Sequence, residues 1–131
     1  MCMKLFLDTN VFIASLTYEA ERGETATRLL NSDYEFHTSL INLMELRTVL
    51  AKKKRIEIDR VEEIEREIVT DVNLLVPDAS DIMEANKIQR ETLLYPLDAF
   101  ILACAEERDT ELATFDSEIL ENGGTHPDAL V

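Results

Sequence analysis

With 131 residues the chain has room for one core, so it reads as a single domain over 1–131. Apolar residues make up 46% of it with no Gly, Pro or Ser tract, which excludes a low-complexity or disordered chain, and its apolar runs fall far short of the roughly 18 residues of a membrane span. The 27 acidic against 13 basic side chains leave a net charge of -14, so a nucleic acid is repelled at long range and any nucleic-acid function needs a local source of attraction.

No export signal opens the sequence, which points to a soluble, cytoplasmic protein whose Cys2 and Cys104 are reduced thiols. A salt-rich cytoplasm would screen the self-repulsion of so acidic a chain. Leu5, Phe6 and Leu7 form an apolar run of strand length, followed by a polar corner at Asp8, Thr9 and Asn10 and then by apolar residues at helical spacing. A strand that empties into a helix is the first half of a parallel β/α unit, and ligands of open α/β sheets sit outside the carboxyl ends of the strands. Asp8 stands at that place, as a site residue or as the cap of the helix. Residues 11–18 and 25–30 read as two short, peripheral helices separated by a charged stretch broken at Gly23. Residues 35–38 suit a second strand, with His37 as an ordinary edge residue.

Ser39 is a good N-cap for a helix over 40–53. Its Glu45 rises from an apolar row with Ile41 and Val49 rather than from the polar face marked by Asn42 and Thr48, and a charge among apolar neighbours calls for a partner. Lys52, Lys53, Lys54 and Arg55 form the one basic cluster, suited either to a helix C-terminus or to a phosphate. Residues 59–72 are an amphipathic helix built on Val61, Ile64, Ile68 and Val72, with its glutamates solvated and Glu62 spaced to pair with Arg66.

Residues 73–76 read as a third strand stopped by Pro77, and Asp78 with Ser80 introduces a helix through Ile82, Ala85 and Ile88. The helix over 95–105 is apolar all round except at Asp98, which implies burial on every side. The helix dipole favours Asp98 in the first turn, yet Ile101, Leu102 and Ala105 at i+3, i+4 and i+7 make it the start of a buried face. Residues 111–115 form a fourth strand that runs into Asp116 and a last helical turn closed at Gly123 and Gly124. The segment 125–131 is a poor strand and reads as extended or frayed, with His126 lacking partners.

Asp8 and Asp116 at strand ends, with Glu45 and Asp98 on helices otherwise built for burial, exceed what caps explain. Carboxylates brought together repel unless protons or a cation neutralise them, and a hard divalent ion such as Mg²⁺ or Mn²⁺ does so through direct and water-mediated contacts. No His and Cys set for zinc accompanies them.

Leu5-Phe6-Leu7-Asp8-Thr9-Asn10-Val11, the helix bearing Glu45, Leu97-Asp98-Ala99-Phe100-Ile101 and Thr114-Phe115-Asp116 together resemble the ordered acidic motifs of the PIN domain family, in particular its VapC-type toxins. The resemblance implies a three-layer α/β/α fold with a central parallel sheet of four or five strands. It implies a metal-dependent ribonuclease in which Asp8 and Asp98 are the principal ligands of Mg²⁺ or Mn²⁺, Glu45 and Asp116 complete the acidic site, and Asn10 and Thr114 orient the carboxylates. It further implies a homodimer and a VapB-like antitoxin partner. RNA phosphates would be met by Arg47, Lys52, Lys53, Lys54 and Arg55. A phosphohydrolase of the haloacid dehalogenase kind fits poorly, because it needs a second Asp where this chain has Asn10. The rival from another class is a catalytically silent PIN-like module that binds protein or RNA.

Overall fold

The computed structural model describes residues 3–131; Cys2 lies outside the described residues, and Cys104 is a buried free thiol. No described helix is long and apolar enough to cross a membrane. Four strands, β1 (Lys4–Leu7), β2 (Glu35–Ser39), β3 (Asn73–Leu75) and β4 (Glu111–Ala113), form one parallel sheet in the order β3-β2-β1-β4. β1 is central, pairing Phe6 with His37 on one side and with Leu112 on the other. Its continuous apolar run follows from that position, since a parallel strand covered on both faces buries every side chain. Leu5 and Leu7 face a core built with α1 (Thr9–Leu16), α2 (Arg22–Leu30), α3 (Leu40–Thr48) and α4 (Ile58–Asp71), whereas Phe6 joins the core of α5 (Ala79–Thr92), α6 (Pro96–Glu107) and α7 (Ser117–Leu120). The result is the expected three-layer α/β/α architecture.

Several local expectations are corrected. Helices α1 and α2 are not peripheral, because Val11, Phe12, Ala14, Ala26 and Leu29 are all buried in the first core. Gly23 does not separate them; it lies in the first turn of α2, where a Cβ would come within 3.0 Å of the Tyr18 backbone. Only glycine lets the two helices approach so closely. His37 sits on an interior strand, and its Nε2 lies 3.0 Å from a carboxylate oxygen of Glu35. The α3 helix ends in a π-helical turn, Val49–Lys53, closed by the Lys54 N–H on the Val49 carbonyl at 3.0 Å. Burial on every side holds for α6 only over residues 101–105, because its first turn leaves Leu97 40% exposed.

Among the described residues the sheet has no fifth strand, but its β4 edge is not bare. Thr125 bridges to Ala113, donating its N–H to the Leu112 carbonyl at 2.7 Å and accepting from the Thr114 N–H at 3.1 Å. The terminal segment is therefore docked rather than frayed: it forms a 3₁₀ turn over Pro127–Ala129, Pro127 is buried and Tyr34 donates its hydroxyl hydrogen to the Leu130 carbonyl. His126 has partners too. Its Nδ1 accepts from the Asp128 N–H at 3.1 Å and its ring stands edge-on to Phe115.

Between α5 and α6 the chain buries an ion pair that the sequence pattern does not announce. Asp81, fully buried, accepts from Arg108 at 2.6 and 3.0 Å and also from the Asp78 N–H, closing the capping box of α5. The Arg108 guanidinium holds its carboxyl below the usual aspartate range.

Candidate active site at the carboxyl edge of the sheet

Asp8 follows the last residue of β1 and caps α1, accepting the Thr9 N–H at 2.8 Å. The capping reading therefore holds, and it occupies only one of the two carboxylate oxygens. Its other oxygen accepts from the Thr114 hydroxyl at 2.8 Å and from the Asn10 amide at 3.3 Å, and the Asn42 amide reaches the first oxygen at 3.5 Å. All of these donors are neutral. Only 6% of Asp8 is exposed, and burial pushes its carboxyl from 3.8 up to about 6, against the lowering effect of the Thr114 and Thr9 hydrogen bonds and with a further push from the charges of Glu45 and Asp98.

Asn10 and Thr114 lock the two strand-end corners together. The Asn10 amide donates to the Thr114 hydroxyl oxygen at 3.2 Å while its carbonyl oxygen accepts the Phe115 N–H at 3.1 Å, and Thr114 accepts the Asp116 N–H at 3.0 Å. Asp116 in turn caps α7 through the N–H groups of Glu118 and Ile119 at 2.9 and 3.1 Å. Asp98, in the first turn of α6, is half-buried. Burial raises its carboxyl first, and the charges of Asp116, Glu45 and Glu118 raise it further. Asp8 therefore feels the charges of Glu45 and Asp98, and Asp98 those of Glu45 and Asp116, which links the four acids of β1, α3, α6 and the corner after β4 through Asp98. Among the described residues no Lys, Arg or His forms an ion pair with any of the four.

Asn42 is the residue that sequence reasoning misplaced. Expected on a polar outer face, it is buried; it accepts the Ser39 hydroxyl at 2.6 Å and donates to the Thr9 hydroxyl oxygen at 3.0 Å as well as to Asp8. The available signal was its spacing: it lies three residues after the Ser39 cap and three before Glu45, on the side of α3 that a cap turns toward the sheet edge. Glu118 was missed as the third acid whose charge raises the Asp98 carboxyl, beside Asp116 and Glu45.

The basic residues expected to meet substrate differ in their surroundings. Arg47 is held by Glu62 at 3.0 Å and Glu65 at 2.9 Å, so Glu62 pairs across to α3 instead of along its own helix to Arg66. Lys52, Lys53, Lys54 and Arg55 are exposed at the end of the π-helical turn and just past it.

The donor set is all carboxylate and amide or hydroxyl oxygen, the chemistry of a hard cation. Among the described residues no group of three or more His, Cys, Asp or Glu side chains is gathered so as to hold a metal ion by itself. The arrangement fits an ion held directly by one or two carboxylates and otherwise by water, as Mg²⁺ commonly is.

A search of curated protein sequences finds no match. Solved structures match over nearly the whole chain. A toxin-antitoxin complex from Klebsiella pneumoniae superposes with a TM-score of 0.75 at 25% identity, covering 94% of this chain and 97% of that one. VapC20 of Mycobacterium tuberculosis, described as a Sarcin-Ricin loop cleaving toxin, gives 0.77 at 23% identity with 92% and 96% covered. DNA-bound VapBC from Salmonella typhimurium gives 0.73 at 23% identity with 95% and 96% covered. The sequence profile of the PIN domain matches residues 5–124, which include all four acids. The chain belongs to the PIN domain family.

Proposed function

We propose that the chain is a Mg²⁺- or Mn²⁺-dependent ribonuclease that hydrolyses RNA phosphodiester bonds and serves as the toxin of a VapBC-type toxin-antitoxin pair. The observation that carries this reading is the uncompensated charge at the sheet edge: Asp8 is buried among neutral donors with its carboxyl pushed up to about 6, and Asp98 is raised by burial and then by three acidic neighbours. A site so arranged is incomplete without a cation. The Klebsiella toxin-antitoxin complex, at 25% identity over 94% of the chain, supports the toxin assignment.

In this reading Asp8 and Asp98 would be the principal residues holding the ion, and Glu45 and Asp116 would complete the acidic site. When bound, the ion polarises the phosphoryl oxygens and lowers the pKa of water enough for attack at neutral pH. The remaining work belongs to the chain. Asn10, Thr114 and Asn42 fix the Asp8 carboxylate by three hydrogen bonds, so that no reorganisation is needed at the moment of reaction. Thr114 also accepts the Asp116 N–H, which keeps the two strand-end aspartates in register.

A homodimer and an antitoxin complete the proposal. Met44 at 60%, Ile82 at 54% and Met83 at 70% exposure are apolar surface that a second copy would cover. The antitoxin would place an Arg or Lys among the four acids, substituting its charge for that of the ion. The test is cleavage of structured and single-stranded RNA by purified protein in chelator, Mg²⁺ and Mn²⁺. Metal-dependent cutting that stops in Asp98→Asn and in the antitoxin complex supports the reading. A clean wild type that never cuts in either metal overturns it in favour of the silent binding module.

A further inference from the structure

The nuclease reading leaves an electrostatic gap, because an edge lined by acids repels a polyanion and three of the arginines are already paired with carboxylates. Arg47 is occupied by Glu62 and Glu65, Arg60 by Glu63 and Glu67, and Arg108 by Asp81. Arg22 is different. It is exposed at the start of α2 and, like Arg28, Arg55, Arg66 and Arg90, forms no ion pair with a carboxylate among the described residues. Its guanidinium lies instead over the ring of Phe115, 5.2 Å from the centroid.

Phe115 belongs to the acidic corner. It stands between Thr114, which donates to Asp8, and Asp116, and its own N–H is bound by Asn10 at 3.1 Å. Its ring is 6% exposed and is fixed from another side by the edge-on His126 ring at 5.2 Å. Arg22 is therefore referenced to the same segment that positions two of the four acids. A cation over a ring face is oriented without being neutralised, so the full charge and the planar donor fork remain for an outside anion. Stacking leaves the edges of the guanidinium open, and a phosphate binds at those edges.

We propose that Arg22, seated on Phe115, binds a backbone phosphate of the RNA next to the one being cut. The assignment rests on the nuclease reading and names the contact that draws an anionic strand to an acid-lined edge. Arg22 is a substrate-binding residue here, and its contact carries no base specificity.

The experiment uses the full chain and a labelled single-stranded RNA. Steady-state cleavage in Mn²⁺ compares wild type, Arg22→Ala, Arg22→Gln and Arg22→Lys. Anisotropy measures binding in an Asp98→Asn background, which stops turnover, with and without Arg22→Ala across a salt series. The expected result for Arg22→Ala is a KM raised about 5- to 10-fold with kcat within about twofold, and a plot of log affinity against log salt shallower by about 0.7, the loss of one phosphate contact on a single strand. Arg22→Gln keeps a planar group over the ring without charge and should behave as Ala; Arg22→Lys should retain the salt slope. Phe115→Leu should raise KM with Arg22 intact, because the guanidinium loses its seat. An Arg22→Ala protein that melts lower but cleaves with unchanged KM and salt slope makes the arginine a mere cover for Phe115 and overturns the proposal while leaving the nuclease reading intact. A wild type that neither binds nor cuts RNA overturns both.

Discussion

Two aspartates of this chain are almost equally hidden from water, Asp81 at 0% and Asp8 at 6% exposure, and their carboxyls are shifted in opposite directions. Asp81 has a guanidinium 2.6 Å away, whereas Asp8 has only hydroxyl, amide and backbone donors and two acidic neighbours beyond them. Burial alone thus does not make a functional carboxylate. The informative sign is burial without a compensating charge, because desolvation penalises the ionised form and the hydrogen bonds from Thr114 and Thr9 offset it only in part. Asp81 and Arg108 are a finished structural pair joining α5 to α6; Asp8 forms no ion pair among the described residues, and in the proposed reading a cation from outside would supply that charge.

The largest expected effect breaks the finished pair. Arg108→Met removes the guanidinium and leaves Asp81 buried and unpaired, which should destabilise the protein by about 3 kcal/mol in denaturant titration. Cleavage by the fraction that remains folded should keep its metal dependence. A variant as stable as wild type would show that water reaches Asp81 and that the contrast with Asp8 is only apparent.

The second effect compares the two groups by pH. Asp8 has an ordinary value of 3.8 and a folded value of about 6, so between those values the folded state holds the extra proton. Its contribution therefore favours folding below 3.8 and is lost as pH rises through about 6, a swing on the order of 2–3 kcal/mol in metal-free protein. Asp81 has the opposite sign: its lowered carboxyl favours folding above 3.8, and that stabilisation is lost as pH falls through the folded value. Chemical denaturation in chelator from pH 4 to 7 should show falling stability in wild type and a flatter profile in Asp8→Asn. Metal should cancel the fall, since binding to the ionised carboxylate opposes protonation.

These contrasts also mark what could be read from residue order. The corners at Asp8 and Asp116, the Ser39 cap and the acid at the head of α6 were legible because each combines a local pattern with a local cause: an apolar run that ends, a cap, a charge at an abrupt change of hydrophobicity. Asn42 was illegible from helical periodicity, because its partners are Asp8 and Thr9, more than thirty positions upstream. The Asp81–Arg108 pair, 27 residues apart on different helices, was hidden for the same reason. Gly23 looked like a breaker because sequence shows that a side chain is missing but not what fills its place, here the Tyr18 backbone. Arg47 looked available for phosphate because α4 had not yet been laid against α3.

A smaller effect follows from Asn42. Asn42→Ala would leave the Ser39 and Thr9 hydroxyls short of a buried partner and remove one donor from Asp8. We expect a loss of about 1–2 kcal/mol in denaturant titration and a fall of roughly 10-fold in kcat, the scale of losing a group that orients a metal ligand. A variant that loses stability but keeps kcat would confine Asn42 to capping α3.

The smallest effect is the most discriminating, because its sign differs between the two roles open to Asp98. If Asp98 only complements the dipole of α6, Asp98→Asn should destabilise the protein by about 0.3–1 kcal/mol with or without divalent metal. The surroundings argue otherwise. Its carboxyl is raised, not lowered, by burial and by Asp116, Glu45 and Glu118, so ionised Asp98 is a net liability in the folded, metal-free chain. Removing the charge should then stabilise the protein in chelator, by only a few tenths of a kcal/mol because Asp98 is half exposed and solvent screens its neighbours. In Mn²⁺ the order should reverse. Wild type gains stability that grows with metal concentration by mass action, and Asp98→Asn, short of one ligand, gains much less. Melting curves of the two proteins in chelator and across a Mn²⁺ series decide the matter: a mutant that melts lower in chelator yet responds to metal as wild type does would remove Asp98 from the metal site, and the contrast between compensated and uncompensated carboxylates would then rest on Asp8 alone.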